Sequence, residues 1–304
     1  MAVSSLFKEA LPWWLKLTAK LFLARLPLRY RFWKKLGVFE HGVMDQPRAC
    51  FETFRTHLAL AGIETIAADG PGPLPGTDFV VLELGPGDSL YTALIARAHG
   101  ASHCYLLDDG DFANRDLDGY QAMARFLSDQ GRGLPFLKGV QTVDEVLARC
   151  GAIYLTHGIA SLRKLPSSSV DFIFSNAVLE HVRKHEMPEV VNEMRRCLKP
   201  QGRCSHRVDL QDHLGGALNN LRFSERVWES EFMAQSGFYT NRLRHQEWLE
   251  LFQRAGFDVE VKRVLRWDRL RTPRNKLHKA FRSLPDDELL VYGFDVVLRP
   301  SGSN

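Results

Sequence analysis

The sequence predicts an α/β fold: a doubly wound, mostly parallel sheet of seven strands with helices on both faces, preceded by an N-terminal helical cap. Three observations predict it. Short apolar runs typical of buried strands alternate with helical segments between residues 79 and 298, and such alternation is typical of parallel sheets. One run enters a glycine turn and a helix within residues 79–98. Another, Val170–Ser175, turns directly into a helix.

Composition allows one large domain or two small ones. The chain has 304 residues, of which 45% are hydrophobic and 25% charged, as is ordinary for a soluble globular protein. Its five cysteines are scattered and lack the spacing of metal ligands, which indicates a reducing, cytoplasmic compartment. No uninterrupted apolar run follows a short basic start, so we expect no signal peptide.

Positive charge is concentrated in the first 35 residues. This segment holds eight lysines and arginines against one glutamate, so it carries +7, and the remaining residues carry −3 of the net charge of +4. Because the remainder is slightly acidic, nucleic acid is disfavoured as a substrate.

The same segment contains two predicted helices, Leu11–Leu26 and Arg29–Leu36. Lysines and an arginine interrupt the first, so it cannot span a membrane. Three interpretations stay open. The helices pack on the domain and help close its active site, or residues 1–35 contact an anionic membrane surface peripherally, or they contact nucleic acid or another partner.

A linker is predicted at residues 68–78, which are crowded with glycine and proline. A helix, Gln46–Ala61, precedes it. We therefore divide the chain into an N-terminal helical segment, residues 1–70, and a main domain, residues 71–304, with a helical insertion at about 215–245.

The main domain begins with the predicted strand Phe79–Leu82 and a glycine turn. Gly85 and Gly87 permit unusual backbone angles and let a ligand approach the backbone closely. Leu90 stands where a dinucleotide fingerprint has its third glycine. The acid Glu83 would repel a pyrophosphate, whereas it would attract a ligand that carries an ammonium and a sulfonium.

The other predicted elements follow in order. The helices are Ser89–Ala98, Gln121–Ser128, Thr142–Cys150, Glu189–Leu198, Leu221–Gly237 and Arg244–Ala255, and the strands are His103–Leu107, Ile153–Leu155, Arg203–Val208, Phe257–Val264 and Tyr292–Leu298.

Two runs carry a resemblance to a known family. Glu83-Leu84-Gly85-Pro86-Gly87 resembles the first motif of the class I S-adenosylmethionine (SAM)-dependent methyltransferases, an acid, an apolar residue and Gly-x-Gly. Ser175–Val182 resembles their fourth motif, and Lys199–Gly202 their turn into strand five. The resemblance, to type 11-like methyltransferase domains, covers residues 78–300. It implies a Rossmann-like domain that uses SAM and releases S-adenosylhomocysteine (SAH).

The resemblance also implies which residues hold the cofactor. Asp108, about 20 residues beyond the turn, is implied to bind the ribose hydroxyls, with Asp109 or Asp111 as substitutes. Gly158-Ile159-Ala160 stands where the family often has Gly-Asp-Ala, so the adenine contact must come from the backbone or elsewhere. The full implied set is Glu83, Gly85, Pro86, Gly87, Asp108, Ile159, Ala160 and Asn176.

Methyl transfer from a sulfonium needs alignment and the exclusion of water, and a hydroxyl acceptor also needs a base. The predicted catalytic residues are His181, Asp209, Asp212 and His213. The predicted substrate contacts are His206, Tyr239, Asn241 and Arg242. His181 has the alternative of supporting the fold, and His206 that of facing the core. Together with Glu180, these histidines and aspartates have the donor atoms to bind a divalent metal. Their spacing in the sequence is not specific for a metal site, so we predict none.

We therefore expect a SAM-dependent methyltransferase that acts on a hydroxyl of a small-molecule or glycan-like acceptor through a His/Asp base. Two alternatives stay open. One is a membrane-associated binding or scaffold protein that keeps the fold without catalysis, and the other is an NAD(P)-dependent oxidoreductase. The acceptor atom and the oligomeric state are left open.

Overall fold

A seven-stranded mixed sheet lies at the centre of the structure, a computed structural model that describes residues 12–23, 45–63 and 78–302. The strands are β1 Val80–Leu84, β2 His103–Leu107, β3 Ala152–Leu155, β4 Val170–Asn176, β5 Leu198–Asp209, β6 Phe257–Arg266 and β7 Val291–Pro300. Their order across the sheet is β3-β2-β1-β4-β5-β7-β6. Strand β7 is antiparallel to both neighbours, and the other pairs are parallel. The predicted fold class is confirmed.

Helices cover both faces of this sheet. They are α1 Trp13–Leu23, α2 Pro47–Ala61, α3 Thr92–Ala98, α4 Leu117–Asp129, α5 Val143–Arg149, α6 Gly158–Leu162, α7 Met187–Cys197, α8 Glu225–Trp228, α9 Glu231–Ala234, α10 His245–Arg254, α11 Lys279–Arg282 and α12 Asp286–Leu289. Short 3₁₀ turns lie at Pro135–Leu137, Leu179–His181, Asn219–Arg222 and Arg274–Lys276.

Alternation along the strands separates two apolar cores. Val81 and Phe172 face the core that α2 to α5 cover, whereas Leu82 and Ile173 face the core that α7 and α10 cover. All four side chains are fully buried. Because successive strand residues point to opposite faces, a continuous apolar run supplies both cores at once.

The helix after the glycine turn is shorter than predicted. Helix α3 begins at Thr92 and not at Ser89. The backbone N–H of Leu90 donates to the hydroxyl of Tyr120 on α4 at 3.3 Å. Contacts of this kind hold the residues before α3 in a turn, so the helix starts one turn later.

Strand β5 begins earlier than predicted. It starts at Leu198 and not at Arg203, because the Lys199–Gly202 stretch stays extended. Leu198 pairs with Val170 on β4 across an irregularity in the register. The ammonium of Lys199 lies 2.7 Å from a carboxylate oxygen of Asp171, which ties the start of β5 to β4.

The insertion between β5 and α10 is a series of single helical turns and not one helix. Ser224 caps α8, its hydroxyl accepting the N–H of Val227 at 3.4 Å, and Ser230 precedes α9. Each serine restarts the helix, since serine is favoured at helix N-caps and disfavoured inside helices. Trp228 is fully buried beneath these turns and donates its indole N–H to the carbonyl of Thr240 at 2.7 Å.

Helix α1 packs on this insertion. Trp13 and Leu17 lie against an apolar cluster that includes Trp228 and Tyr239. The guanidinium of Arg222 lies 4.8 Å from the centre of the Trp13 ring. The second predicted N-terminal helix, residues 29–36, and the linker up to residue 77 lie outside the described residues.

Helix α2 belongs to the core of the sheet domain. Phe54 is fully buried and contacts Phe174 of β4 edge-on, with ring centres 5.5 Å apart. His57 Nδ1 lies 2.8 Å from the Ser205 hydroxyl on β5. Setting residues 1–70 apart from the main domain was therefore wrong for this helix, because its apolar face completes the core over β1 and β4.

Among the described residues, no helix combines the length and the apolar character that crossing a bilayer requires. Helix α2 has 15 residues, whereas a transmembrane helix needs about 20. All five cysteines are buried free thiols.

Candidate active site

The sheet changes its direction of winding between β1 and β4. Strands β2 and β3 lie on one side of β1, and β4 lies on the other. In open α/β sheets, ligands bind beyond the carboxyl ends of the strands at this point. The glycine turn, the end of β2 and the segments after β4 and β5 all lie at this edge.

Backbone conformation builds the turn after β1. Gly85 and Gly87 have φ angles of 70° and 65°, in the left-handed region that favours glycine. The N–H of Gly85 donates to the carbonyl of Leu107 at the end of β2 at 2.7 Å. A Cβ on Gly85 would lie 2.5 Å from the side chain of Val178. The turn is therefore packed directly against the residues that follow β4.

Asp108 lies at this turn. Its carboxylate accepts the N–H of Gly87 at 3.0 Å and that of Asp109 at 2.9 Å. Its backbone carbonyl accepts the N–H of Gly158 at 2.9 Å. A Cβ on Gly158 would lie 2.7 Å from a carboxylate oxygen of Asp109. An exposed acid thus lies beside the start of α6, where the sequence itself has only the half-buried Ile159 and the exposed Ala160.

Glu83 is buried beneath the turn, with only 3% of its surface exposed. Burial raises the pKa of its carboxyl to about 8, and a hydrogen bond from Thr92 on α3 opposes that rise. Its Oε2 has no hydrogen-bond partner in the part of the chain that the structure describes. A buried acid with a vacant oxygen suits a cationic ligand, since a positive charge would favour its ionised form.

A second polar cluster is formed by Glu180, His181 and His213. One ligand atom from each lies within 4.8 Å of the others, and the two imidazole centres are 4.8 Å apart. Glu180 is 1% exposed. Burial, with the nearby charge of Asp209 adding to it, holds the pKa of Glu180 well above its ordinary value.

Both carboxylate oxygens of Glu180 are buried. The backbone N–H groups of Glu180 and Asp209 lower its pKa, but neither reaches hydrogen-bond geometry. Within residues 12–23, 45–63 and 78–302, neither oxygen has a hydrogen-bond partner. A carboxyl in this state is costly to the fold, and such groups are found at functional sites.

Residues distant in sequence hold this cluster. Nδ1 of His181 lies 2.9 Å from the carbonyl of Tyr239, which can only accept, so Nδ1 carries the proton and the neutral ring has its lone pair on Nε2. Asn241 donates its side-chain amide to the carbonyl of Leu179 at 2.9 Å and its backbone N–H to that of Glu180 at 2.7 Å. The insertion therefore positions the turn after β4.

A family model for a methyltransferase domain matches residues 45–261 of this sequence. The chain belongs to this methyltransferase family. The match begins before α2, in agreement with the place of that helix in the core. The match favours a methyltransferase over the alternative of an NAD(P)-dependent oxidoreductase. SAM is the cofactor of the enzyme.

The chain is similar to several solved structures at low sequence identity. A SAM-dependent methyltransferase from Methanosarcina mazei is 14% identical, with 74% of this chain and 94% of that chain covered and a TM-score of 0.45. The phosphoethanolamine N-methyltransferase 2 of Haemonchus contortus, solved with phosphomonomethylethanolamine and SAH, is 15% identical, with 81% and 53% covered and a TM-score of 0.42. An arsenic(III) methyltransferase from Chlamydomonas reinhardtii is 16% identical, with 84% and 73% covered and a TM-score of 0.41. No curated protein matches the sequence significantly.

Three predicted substrate contacts of the methyltransferase are buried in the fold, so these predictions are wrong. His206 is fully buried, its Nδ1 lies 2.8 Å from the Ser175 hydroxyl, and burial lowers its pKa to about 3. Asn241 is 1% exposed and holds the turn after β4. Arg242 donates to the carbonyl of Phe223 at 2.8 Å within the insertion, and its side chain has no exposed surface.

The predicted base Asp212 instead organises the loop after β5. One carboxylate oxygen accepts the N–H groups of Leu214 and Gly215, each at 2.8 Å. The other accepts the N–H of Asn219 at 2.6 Å and its side-chain amide at 3.1 Å. Because donors occupy both oxygens and the side chain is buried, Asp212 does not face an acceptor. It shapes the loop that carries His213.

Tyr239 contributes its backbone and not its phenol to the cluster. Its hydroxyl donates to Glu229 at 2.8 Å and accepts the N–H of Lys184 at 3.2 Å. Its carbonyl meets His181. Tyr239 therefore orients His181 through its backbone carbonyl, and it does not make the predicted contact with a substrate.

Asp209 and Asn176 lie nearer to solvent. Asp209 is half-buried, accepts two hydrogen bonds from Gln211 at 3.1 and 3.2 Å, and has a pKa raised by burial. Asn176 is exposed and lines a cleft of about 190 Å³ together with Arg207 and Asp295. Both side chains remain accessible to a ligand.

Sequence analysis named two candidate residues without their present roles: Asp109 only as a substitute for Asp108 at the ribose, and Glu180 only in an unspecific metal grouping. Glu180 stands in the fourth motif, but its burial and vacant oxygens are visible only in the structure. Asp109 follows Asp108, and only the fold brings it beside Gly158. No periodicity or spacing in the sequence marks either residue.

Proposed function

We propose that this SAM-dependent methyltransferase transfers the methyl group to a hydroxyl oxygen of a small-molecule or glycan-like acceptor. The observation that carries the proposal is the hydrogen bond from His181 to the Tyr239 carbonyl, which leaves Nε2 of the ring as a proton acceptor. His181 follows β4, and Val178 in the same turn packs against the glycine turn of the cofactor site. A base beside the cofactor is needed for a hydroxyl acceptor, whereas a neutral amine needs none.

The residues around the glycine turn fit SAM. Glu83 offers a buried oxygen without a partner among the described residues, and SAM carries an ammonium and a sulfonium. Asp108 is proposed to bind the ribose hydroxyls, and Asp109 the adenine amino group. When bound, SAM supplies a methyl group that its positive sulfur has already activated.

The acceptor hydroxyl is proposed to lie against the imidazoles of His181 and His213. As its oxygen bonds to the methyl carbon, the carbon–sulfur bond breaks with its electrons on sulfur, and the hydroxyl proton moves to Nε2 of His181. His213, whose ring centre is 4.8 Å from that of His181, orients the hydroxyl. Asp209, half-buried at the end of β5, is a further candidate for the proton.

The test uses full-length protein, SAM labelled in its methyl group, and panels of phenols, glycans and amines. We expect label on hydroxyl acceptors. His181→Asn should lower kcat by about 10² to 10⁴-fold, the usual contribution of a general base, without weakening SAM binding. His185→Asn, at an exposed histidine nearby, is the matched control and should leave kcat unchanged.

Transfer to amines alone, with His181→Asn fully active, would overturn the hydroxyl proposal. Calorimetric titration with SAM and SAH checks that the cofactor site is intact in each variant. Both variants should bind the two ligands with the affinity of the parent protein.

For the N-terminal segment we propose contact with an anionic membrane. Helix α1 buries Leu17 but leaves Trp14 54% and Leu15 38% exposed, and residues 1–35 carry a net charge of +7. Exposed aromatic and apolar residues among basic ones favour anionic lipid surfaces. Trp14→Ala with Leu15→Ala should reduce co-sedimentation with phosphatidylserine vesicles and leave the melting temperature unchanged. Equal binding of the parent protein and the double variant to the vesicles would contradict the proposal.

A further inference from the structure

The cluster of Glu180, His181 and His213 has the composition of a metal site. It brings one carboxylate and two imidazoles within 4.8 Å of one another. In a tetrahedral site with bonds of about 2.0–2.2 Å, ligand atoms lie roughly 3.3–3.6 Å apart. The cluster would need to contract by at most about 1.5 Å to hold an ion.

A second observation points to a cation at the same place. Glu180 is 1% exposed, and neither of its carboxylate oxygens has a hydrogen-bond partner within the described ranges of the chain. A buried carboxylate without a partner is strongly disfavoured unless a cation or donor meets it. The imidazoles of the cluster can supply the other ligands of that cation.

The surroundings also prepare His181 as a ligand. Metal-binding histidines usually donate their other ring N–H to a carbonyl or carboxylate, which fixes the ring and its tautomer. The 2.9 Å contact from Nδ1 to the Tyr239 carbonyl does this and directs the lone pair to Nε2. Asn241 holds the same turn through the carbonyl of Leu179. Asp212 shapes the loop that presents His213.

We propose that Glu180, His181 and His213 bind one divalent first-row transition-metal ion. Two imidazoles and a carboxylate form the donor set of catalytic Zn²⁺ sites and of other three-ligand sites with open positions, whereas Mg²⁺ and Ca²⁺ prefer oxygen ligands throughout. The binding itself is independent of the proposed function. Its role rests on that function: with the ion bound, His181 would be a ligand and not the base, the acceptor's oxygen would bind at an open position, and its proton would pass to Asp209.

The test is calorimetric titration of chelator-treated, tag-free, full-length protein with Zn²⁺, and visible spectroscopy with Co²⁺. We expect one Zn²⁺ per chain with a micromolar or tighter Kd, and Co²⁺ absorption bands that Zn²⁺ abolishes. Mg²⁺ in an excess of about 100-fold should not compete. Glu180→Gln and His213→Asn should each weaken Zn²⁺ binding by about 100-fold or more.

His185→Asn is the matched control and should bind Zn²⁺ as the parent does. SAM titration and circular dichroism confirm that each variant is folded, and His181→Asn provides a third variant if Glu180→Gln fails to fold. Less than half an ion per chain, or parental Zn²⁺ affinity in folded His181→Asn and His213→Asn, would overturn the proposal. If the parent protein bound Zn²⁺ but not SAM, the result would count against the proposed function and not against the metal site, because Zn²⁺ binding does not depend on SAM.

Discussion

The cofactor end and the acceptor end of the site are built in different ways. At the cofactor end, the glycine turn and Asp108 lie close in sequence and meet through backbone groups, such as the N–H of Gly87 on the Asp108 carboxylate. At the acceptor end, Tyr239 and Asn241 reach back to His181 and Glu180 from an insertion about 60 residues away. A site made by one strand–turn–helix–strand unit is local, whereas a site made by side chains on separate loops depends on the whole fold.

The largest expected effect tests whether the two ends are packed together at Gly85. Gly85→Ala introduces both a left-handed alanine and a clash with Val178, so it should lower the free energy of unfolding by about 2–5 kcal/mol. Gly139→Ala is the matched control, because Gly139 has a φ of 80° with nothing within 4 Å of its Cβ position. It should cost about 1–2 kcal/mol. Equal losses in urea denaturation would mean that Val178 does not press on the turn.

The next prediction concerns the acceptor end alone. Asp212→Ala removes the acceptor of four hydrogen bonds in a buried loop, so stability should fall by about 2–4 kcal/mol and turnover should fall with it. SAM affinity should be unchanged. Asp209→Ala, which within the described part of the chain loses two hydrogen bonds from Gln211, should cost less than about 1 kcal/mol. Thermal melts and calorimetry measure both, and equal destabilisation would remove the loop-shaping role of Asp212.

The cofactor end is tested by Asp108→Ala. Loss of hydrogen bonds to a charged group costs about 1.5–3 kcal/mol, so SAM and SAH should bind roughly 10 to 150-fold more weakly while Zn²⁺ binding stays the same. Asp111→Ala is the control, since Asp111 is exposed and contacts Arg115. If Asp111→Ala weakened SAM binding and Asp108→Ala did not, the ribose contact would belong to Asp111.

The smallest expected effect, taken per pH unit, is a pH dependence at Glu83. Its pKa is about 8 in the folded protein against 4.5 when unperturbed, so the native state keeps a proton that the unfolded chain releases. Stability contributed by this group is therefore present below about pH 4.5 and is lost as pH rises towards 8, by at most about 1.4 kcal/mol per pH unit. Glu83→Gln should lack this slope. The free energy of unfolding is measured by urea denaturation at several pH values for both proteins. The same pH slope in both would show that Glu83 does not titrate in this range.

Much of the cofactor end could be predicted from the sequence. The apolar run before Gly85 predicts a buried strand, the two glycines predict a tight turn, and Asp108 follows the second strand at a fixed distance. These features depend on backbone rules that act over short stretches. Helix α3 begins at Thr92 and not at the predicted Ser89, because contacts from α4 hold the residues before it.

The acceptor end could not be predicted in the same way. The sequence predicts Asp212 as a catalytic base and Asn241 and Arg242 as substrate contacts, from their polarity and their place in loop regions. The fold buries all three against other parts of the chain: Asp212 and Arg242 bond to groups of the insertion, and Asn241 bonds to carbonyls of the turn after β4. Whether a polar side chain faces a ligand or a carbonyl depends on which segments pack beside it, and that information is not local.

The sequence by itself determined the alternation of strands and helices, the glycine turn and the family to which the chain belongs, because each depends on short runs of residues. Only the tertiary structure decided that α2 completes the core, that α1 packs on the insertion, and that Glu180, His181 and His213 meet. These outcomes depend on the closing of long loops, in which distant segments compete to bury apolar surface and to satisfy buried polar groups.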